Sequence, residues 1–408
     1  MISASPNAST EGVAHKLAES EPVRVLHVIT SLLTGGAEAM LQKIVRATRP
    51  LGYEPTVVSL TAAATIGREL EEEGFPVVAL GGRGGILLPH QLFRLARTFR
   101  RVQPQVVHCW MYHANAIGHA LVRLRPRQRR PALIVSVRVA LDAKYDTKIS
   151  RDVVRRADAL LSGAADAVVF NSHRAAEQHA ALGYCMRRAR VIPNCFDTER
   201  FKPNLEQSAQ LRRSIGFDDA TVLVGMITRF DAQKDHRSFL QAARMVAARY
   251  PRCHFLLAGR GCDRNNAELM RWIQECGLFD RIHVLGERRD VPAVQGALDL
   301  AVSSSVVEGF PNTIGEAMAC AVPCVVTDVG DCKFVVGDAG FTVPPRDPHA
   351  LAGAIMRLVD LPRHERRAVG ERGRQRVVAE FAMAPVVEKF TRLYEDVTSD
   401  AKRRAAVA

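Results

Sequence analysis

Short apolar runs alternate with segments of helical periodicity from Val23 almost to the C-terminus, in two series separated by a break that carries two prolines. Runs that stay apolar instead of alternating with polar residues belong to strands buried on both faces. That is the situation of a parallel sheet sandwiched between helices. The first series comprises residues 23–30, 56–59, 77–80, 106–108, 133–136, 167–170 and 189–193, and the second 221–228, 254–258, 282–285, 300–303 and 322–327. The break, from Pro193 to Pro203, has little periodicity and reads as a linker or hinge. The expectation is an α/β chain of two doubly wound, Rossmann-like domains facing each other across a cleft, residues 22–195 and 196–379. A tail, 1–21, reads as disordered, and a helical segment, 380–398, is expected to return to the first domain. In such sheets ligands bind beyond the carboxyl ends of the strands, so the residues that follow each apolar run are the ones to inspect.

At 408 residues the chain exceeds what one core ordinarily supports. No run approaches the roughly 20 apolar residues of a membrane span, and the first 20 residues lack the apolar stretch of a signal peptide. Nine scattered cysteines, several inside apolar runs, are the pattern of reduced thiols, so a cytoplasmic location is expected. Neither C-x-x-C nor H-E-x-x-H spacing occurs, which argues against structural zinc. The formal charge of +13 is concentrated in Arg94–Arg101, Arg123–Arg130 and Arg363–Arg376. In the first of these, Leu92, Leu95, Ala96 and Phe99 recur at helical spacing while Arg94, Arg97 and Arg101 share another face. Such a helix suits either an ordinary solvated surface or peripheral contact with anionic lipid at the inner face of the cell membrane. No helix-turn-helix, zinc finger or aromatic-studded platform accompanies the charge, so nucleic acid is not expected as a partner.

The chemistry concentrates in the second series. Glu308-Gly309-Phe310-Pro311-Asn312-Thr313-Ile-Gly-Glu316 joins an apolar run to a helix and sets two carboxylates eight positions apart across a Gly/Pro turn. Asn312 or Thr313 can cap the helix, whose first-turn amides and dipole favour an anion such as phosphate. Carboxylates placed this way accept hydrogen bonds from polyols, and together they suggest a sugar nucleotide. A purely structural use, with Glu308 capping a loop and Glu316 complementing the helix, explains an isolated pair equally well. Arg229 and Lys234 follow the run 221–228, and a cation pair at that position can stabilise the charge of a departing diphosphate.

In the first series Gly35 and Gly36 follow the opening run directly and permit close approach of a phosphate or sugar to the backbone. They do not form G-x-G-x-x-G, and no acidic residue ends the second run, which disfavours a nicotinamide cofactor. His108-Cys-Trp110-Met-Tyr112-His113 ends a third run. Trp110 suits stacking on a sugar, His113 suits a catalytic role at the start of a helix, and His108 reads as core. Arg138, ending the run at 133–136, could hold an acidic or phosphorylated acceptor. No Asp-x-Asp pair occurs, so no metal and no cofactor are expected, with Arg229, Lys234 and helix amides in the metal's place.

Taken together, these residues resemble family 4 of the retaining glycosyltransferases, whose fold is GT-B. The resemblance covers roughly residues 22–398 and rests on Glu308 to Glu316 as the E-x7-E element, Arg229 with Lys234, and the turn Leu285-Gly286. Two departures stand out. Cys195 replaces the glycine of the usual V-I-P-N-G hinge, and Trp110 replaces the second histidine of His-x-His. The resemblance implies a nucleoside-diphosphate sugar, UDP- or GDP-linked, held mainly by the second domain. Glu316 would lie on the ribose, the backbone from Gly309 to Thr313 on the sugar and phosphates, and Glu287 to Asp290, with Arg288, near the base. Glu308 would stabilise the reacting sugar, and the acceptor would be a glycan or lipid-linked glycan on the first-domain side. A sugar-nucleotide epimerase or phosphorylase is the alternative within enzymes, and a basic binding protein with a decayed site is the alternative outside them.

Overall fold

The computed structural model describes residues 21–33, 35–83, 87–141, 149–218 and 220–407. The expected disordered tail and most of the loop 141–150 lie outside them. The chain divides into two compact units, one running up to Pro193 and resuming at Val386, the other Asn194–Pro385.

The first unit is built on a seven-stranded parallel sheet: β1 (Val23–Ile29), β2 (Tyr53–Ser59), β3 (Val77–Ala79), β4 (Val106–Trp110), β5 (Ala132–Val137), β6 (Ala167–Phe170) and β7 (Ala189–Val191), in the order β3-β2-β1-β4-β5-β6-β7. The second holds six parallel strands: β8 (Val222–Ile227), β9 (Cys253–Ala258), β10 (Ile282–Val284), β11 (Leu300–Ser303), β12 (Cys324–Thr327) and β13 (Gly340–Val343), ordered β10-β9-β8-β11-β12-β13. The last strand was not foreseen. Gly340-Phe-Thr-Val is short, begins with glycine, and sits at the sheet edge, paired only with β12.

Both faces of each sheet are covered, as the apolar runs require. In the second unit Leu223, Leu256 and Val326 enter one core, whereas their neighbours Val224, Leu257 and Val325 enter the other, following the period of two. In the first unit Val107, Cys109, Leu133 and Val135 pack on one face. The alternate residues His27, His108, Trp110 and Ser136 point to the opposite face, where Phe390 and Tyr394 of the final helix cover them. That helix spans Met383–Val407, starting later and ending later than the sequence pattern suggested. Ahead of it Phe381 ends the preceding helix, its carbonyl accepting from the Phe196 amide at 2.8 Å, and Ala382 forms an isolated parallel bridge with Phe196.

Each sheet has one point where strand order reverses, between β1 and β4 in the first unit and between β8 and β11 in the second. Chains leaving adjacent strands there turn to opposite faces and leave a crevice at their carboxyl ends.

Candidate active site

In the second unit, two segments flank the switch point. After β8 the chain passes Arg229 and forms a 3-10 turn, Ala232–Lys234, whose start is capped by Asp231 accepting from the Gln233 amide at 2.9 Å. Asp235 then adopts a left-handed conformation (φ 49°) and caps the helix His236–Arg249 through the Ser238 amide and hydroxyl. After β11 come Ser304 and Ser305. The Ser304 hydroxyl donates to the carbonyls of Lys234 and Asp235 (2.9 and 3.0 Å), and the Val306 amide donates to Gln233 (2.8 Å). The loop after β11 thus holds the turn that carries Lys234.

The two loops meet in an ion pair. Lys234 Nζ contacts Glu308 Oε1, and the same oxygen accepts from the Ser305 hydroxyl at 2.8 Å. Both side chains are about 15% exposed, so the pair is shielded yet reachable. Arg229 is half exposed and lies 3.2 Å from Asp231. The two expected cations therefore sit at the switch point, each facing a carboxylate, with Glu308 balancing the lysine. Burial and the adjoining charge of Glu308 push the Cys332 thiol well up, which keeps that neighbour protonated.

From Glu308 the chain runs through Gly309, Phe310 and Pro311 into the helix Asn312–Ala319. Pro311, not Asn312 or Thr313, occupies the N-cap position, and no side chain caps the helix. Asn312 is already helical, past the capping position, and its side-chain oxygen accepts from Asn194 at 2.8 Å. The Asn312 amide donates to the Phe310 carbonyl at 3.0 Å, and the first-turn amides that follow it have no intrahelical acceptor and present a positive end. Glu316 lies in the second turn, partly buried, one residue beyond Gly315, where the Phe196 ring packs so closely that no Cβ would fit. The ring also stacks on Phe310 at 5.9 Å, fixing the helix start against the core.

Three contributors left weaker traces in the sequence. Ser304 and Ser305 read only as a polar strand end. Gly330 (φ 55°) lies against Glu308 and Gly309, where a Cβ would come within 2.8 Å of the Gly309 oxygen. Next to it the Asp331 amide donates to that oxygen at 3.1 Å. The signal in the sequence is Asp328-Val-Gly-Asp331 directly after β12. Arg288, expected near the base, forms a two-pronged pair with Asp290 (2.8 and 2.6 Å), which holds the Asp290 carboxyl below its ordinary range. Gly286 takes φ 67°, as the Leu-Gly turn requires.

In the first unit, the helix Gly36–Thr48 begins at the switch point, with Gly35 as an extended N-cap. Glu38 folds back over Gly35 and accepts from the Ser31 hydroxyl at 3.1 Å. Neither glycine has positive φ, so close approach, not backbone handedness, is what they contribute. His113, half-buried, stands in the first turn of the helix Tyr112–Arg123, after Met111 in a strained conformation (φ 74°).

Trp110 and Arg138 require correction. Trp110 is fully buried, donates to His27 Nδ1 at 3.2 Å and stacks on His108 at 4.5 Å; it is core and has no face to offer a sugar. The strand alternation that buries His108 carries Trp110, two residues on, to the same covered face. Arg138 is 8% exposed, with its guanidinium 5.5 Å from the Trp110 ring centre and donating to the Ile192 carbonyl at 3.3 Å. It braces the end of the sheet instead of forming a rim. Cys195, where the family has glycine, is buried without positive φ, its thiol 3.2 Å from the Met383 sulfur.

Two doubly wound parallel sheets, each with its crevice at a switch point, define the GT-B class of glycosyltransferase folds. Solved structures agree: Anabaena HepE in complex with UDP aligns with a TM-score of 0.80 at 21% identity, covering 92% of this chain and all of that one. A sucrose-phosphate synthase from Thermosynechococcus elongatus aligns at 0.74 and 20%, covering 92% and all of its chain. The family models "Glycosyltransferase Family 4" and "Glycosyl transferases group 1" match residues 34–200 and 221–360. The chain belongs to the family 4 glycosyltransferases. Among curated relatives, the lipopolysaccharide core mannosyltransferase LpsB of Rhizobium meliloti is 28% identical over 76% of this chain and 86% of its own length. An Escherichia coli galactosyltransferase acting on GlcNAc-diphosphoundecaprenol is 26% identical over 51% of this chain, which spans about half (54%) of that relative.

Proposed function

We propose that the chain transfers a hexosyl group from a UDP- or GDP-linked sugar to a hydroxyl of a glycan or lipid-linked glycan, with retention of configuration and without a metal ion. The observation that carries this reading is the meeting of Lys234 and Glu308, 74 residues apart in sequence, at the switch point beside an uncapped helix start. As the bond from the anomeric carbon to the diphosphate breaks, the leaving group gains negative charge. Lys234, Arg229 and the open first-turn amides around Thr313 neutralise it. Glu308, oriented by Ser305 and Lys234, stabilises positive character on the sugar, and the acceptor oxygen bonds to the face that the diphosphate leaves as its proton passes to the departing phosphate oxygen. Glu316 takes the ribose, Arg288 lies near the base, and His113 serves the acceptor. Support for a sugar nucleotide comes from the relatives, transferases of mannose and galactose, and from HepE structures with UDP and UDP-glucose.

The test is Glu308→Gln. Transfer should fall by roughly 10²–10³ in kcat, with calorimetric affinity for the nucleoside diphosphate retained, and undiminished transfer would sink the proposal. In parallel, His113→Ala should lower kcat/KM for the acceptor while donor hydrolysis persists, and EDTA should leave the wild-type rate unchanged.

For the membrane, the helix Pro89–Val102 buries Leu95 and Phe99 in the core of the first unit, so that part of the apolar face inferred from sequence is occupied. Leu92 and Phe93 are instead exposed (47% and 69%) beside Arg94, Arg97 and Arg100, a combination that supports peripheral insertion. Among the described residues no helix is long and apolar enough to cross a bilayer. Leu92→Asp with Phe93→Asp should abolish flotation with phosphatidylglycerol vesicles, and flotation equal to wild type would refute this contact.

A further inference from the structure

The amino-terminal edge of the first sheet carries a basic cavity that the transfer site does not use. It opens where three strands begin: Arg130 and Pro131 lead into β5, Asp166 into β6 and Arg188 into β7. Because all strands run parallel, this edge is opposite the one from which Gly35 and His113 emerge. The cavity measures about 690 Å³, within the range of small-ligand sites.

Its lining is strongly one-sided. Arg123, Arg127, Arg130, Arg188, Arg403 and Arg404 line it, against one lining carboxylate among the described residues, Asp166. Arg403 is also paired with Asp400, and Arg130 Nε donates to the Arg125 carbonyl at 3.2 Å. Asp166 is already committed: Oδ1 holds Arg404 at 2.7 Å and Arg188 at 3.6 Å, and Oδ2 accepts from the Leu133 amide at 2.8 Å. It therefore orients two arginines, and Asp400 holds Arg403, without neutralising Arg123, Arg127 and Arg130. Arg123, Arg127 and Arg130 have no carboxylate at ion-pair distance among the described residues. Like charges gathered in a concave surface repel one another and raise the local potential for an anion. Guanidinium forks, unlike ammonium groups, match the oxygens of phosphate two at a time.

The floor is mixed. Val122, Pro131 and Leu133 give an apolar ledge, and His119, 3% exposed, also lines the cavity, its Nε2 without a hydrogen-bond partner. Burial, with Arg123 nearby, lowers the His119 pKa to about 4, so its imidazole is neutral and adds no charge to the cluster near pH 7.

We propose that this cavity is a second ligand site that binds a phosphorylated small molecule, its phosphate or diphosphate on the arginine forks and a compact apolar or heterocyclic part on the Val122–Leu133 ledge. The same chemistry is offered by a soluble phosphate ester and by a phospholipid headgroup. The site is independent of the donor reading, since no residue of the donor site lines it.

The test uses the full chain and a triple variant, Arg123→Ser, Arg127→Ser and Arg130→Ser, at exposed positions outside the transfer machinery. Inorganic pyrophosphate is titrated calorimetrically, and flotation is measured with phosphatidylglycerol vesicles and with phosphatidylcholine vesicles. The expected result is a class of pyrophosphate binding in wild type that weakens at least about tenfold in the triple variant, with sugar transfer and Tm unchanged. If pyrophosphate does not bind but flotation with phosphatidylglycerol alone depends on the three arginines, the ligand is the headgroup and the site stands. The corresponding triple lysine variant, which keeps charge but loses the forks, should also bind more weakly than wild type. Equal binding by wild type and the serine variant in both assays, no binding by wild type in either, or lysine binding indistinguishable from wild type overturns the proposal.

Discussion

Glu308 shows how a side chain is aimed by residues that carry no chemistry themselves. Ser305 and Lys234 hold its carboxylate, while Gly330 lets the neighbouring loop close on its backbone. Glu308, Glu316, Arg229 and Lys234 were legible because their spacing from apolar strand ends fixes them at the carboxyl edge of a sheet. Gly330 was not, because its requirement arises from a segment more than twenty residues away in sequence. Its φ of 55° and the crowding by the Glu308 and Gly309 carbonyls lead to a prediction for Gly330→Ala. Strain should cost about 1–3 kcal/mol in urea denaturation and, by displacing Glu308, should lower kcat more than donor affinity. A variant with unchanged kcat would show that the contact does not position the glutamate.

Among the elements, the final helix decides what the first sheet can expose. Phe390 and Tyr394, both fully buried, lie on the strand face that carries His27, His108 and Trp110, and the Tyr394 hydroxyl bonds His108 Nδ1 at 2.9 Å. Local sequence put Trp110 at a strand end, where an exposed aromatic would suit a sugar. What buries it is a helix that begins some 270 residues later, beyond the reach of any local pattern. Removing the Phe390 ring should destabilise the protein by about 3–5 kcal/mol, read as a shift in the denaturation midpoint. A loss below the cost of a single methylene would mean that the helix only rests on the sheet. The helix Pro89–Val102 tells the converse: its period was readable, but which apolar residues the core consumes depended on the sheet beneath it.

For the molecule as a whole, buried imidazoles govern the response to acid. Burial lowers His27 to about 3 and His119, His179 and His236 to about 4, and holds His108 well below its ordinary value of 6.5. The unfolded chain protonates these groups near their ordinary value and the folded chain does not. Their contribution to stability is therefore full above about pH 6.5 and is lost progressively as pH falls toward 4 and below. Asp158 opposes this: burial raises it to about 6, so its contribution is present at low pH and is lost as pH rises through 6. Five groups against one should make the thermal midpoint fall steadily between about pH 6.5 and 4. A flat profile over that window would show that the imidazoles become hydrated before unfolding.

Periodicity and strand-end chemistry, both local properties, were enough to establish from the sequence alone two parallel α/β units, the run from Glu308 to Glu316, and the cations after β8. The tertiary structure decided which partners those residues face: Lys234 on Glu308, Arg229 on Asp231, Trp110 and Arg138 in the core, and six arginines around one cavity at the far edge of the first sheet. Burial and pairing are properties of the space between elements, and segments distant along the chain determine how that space is filled.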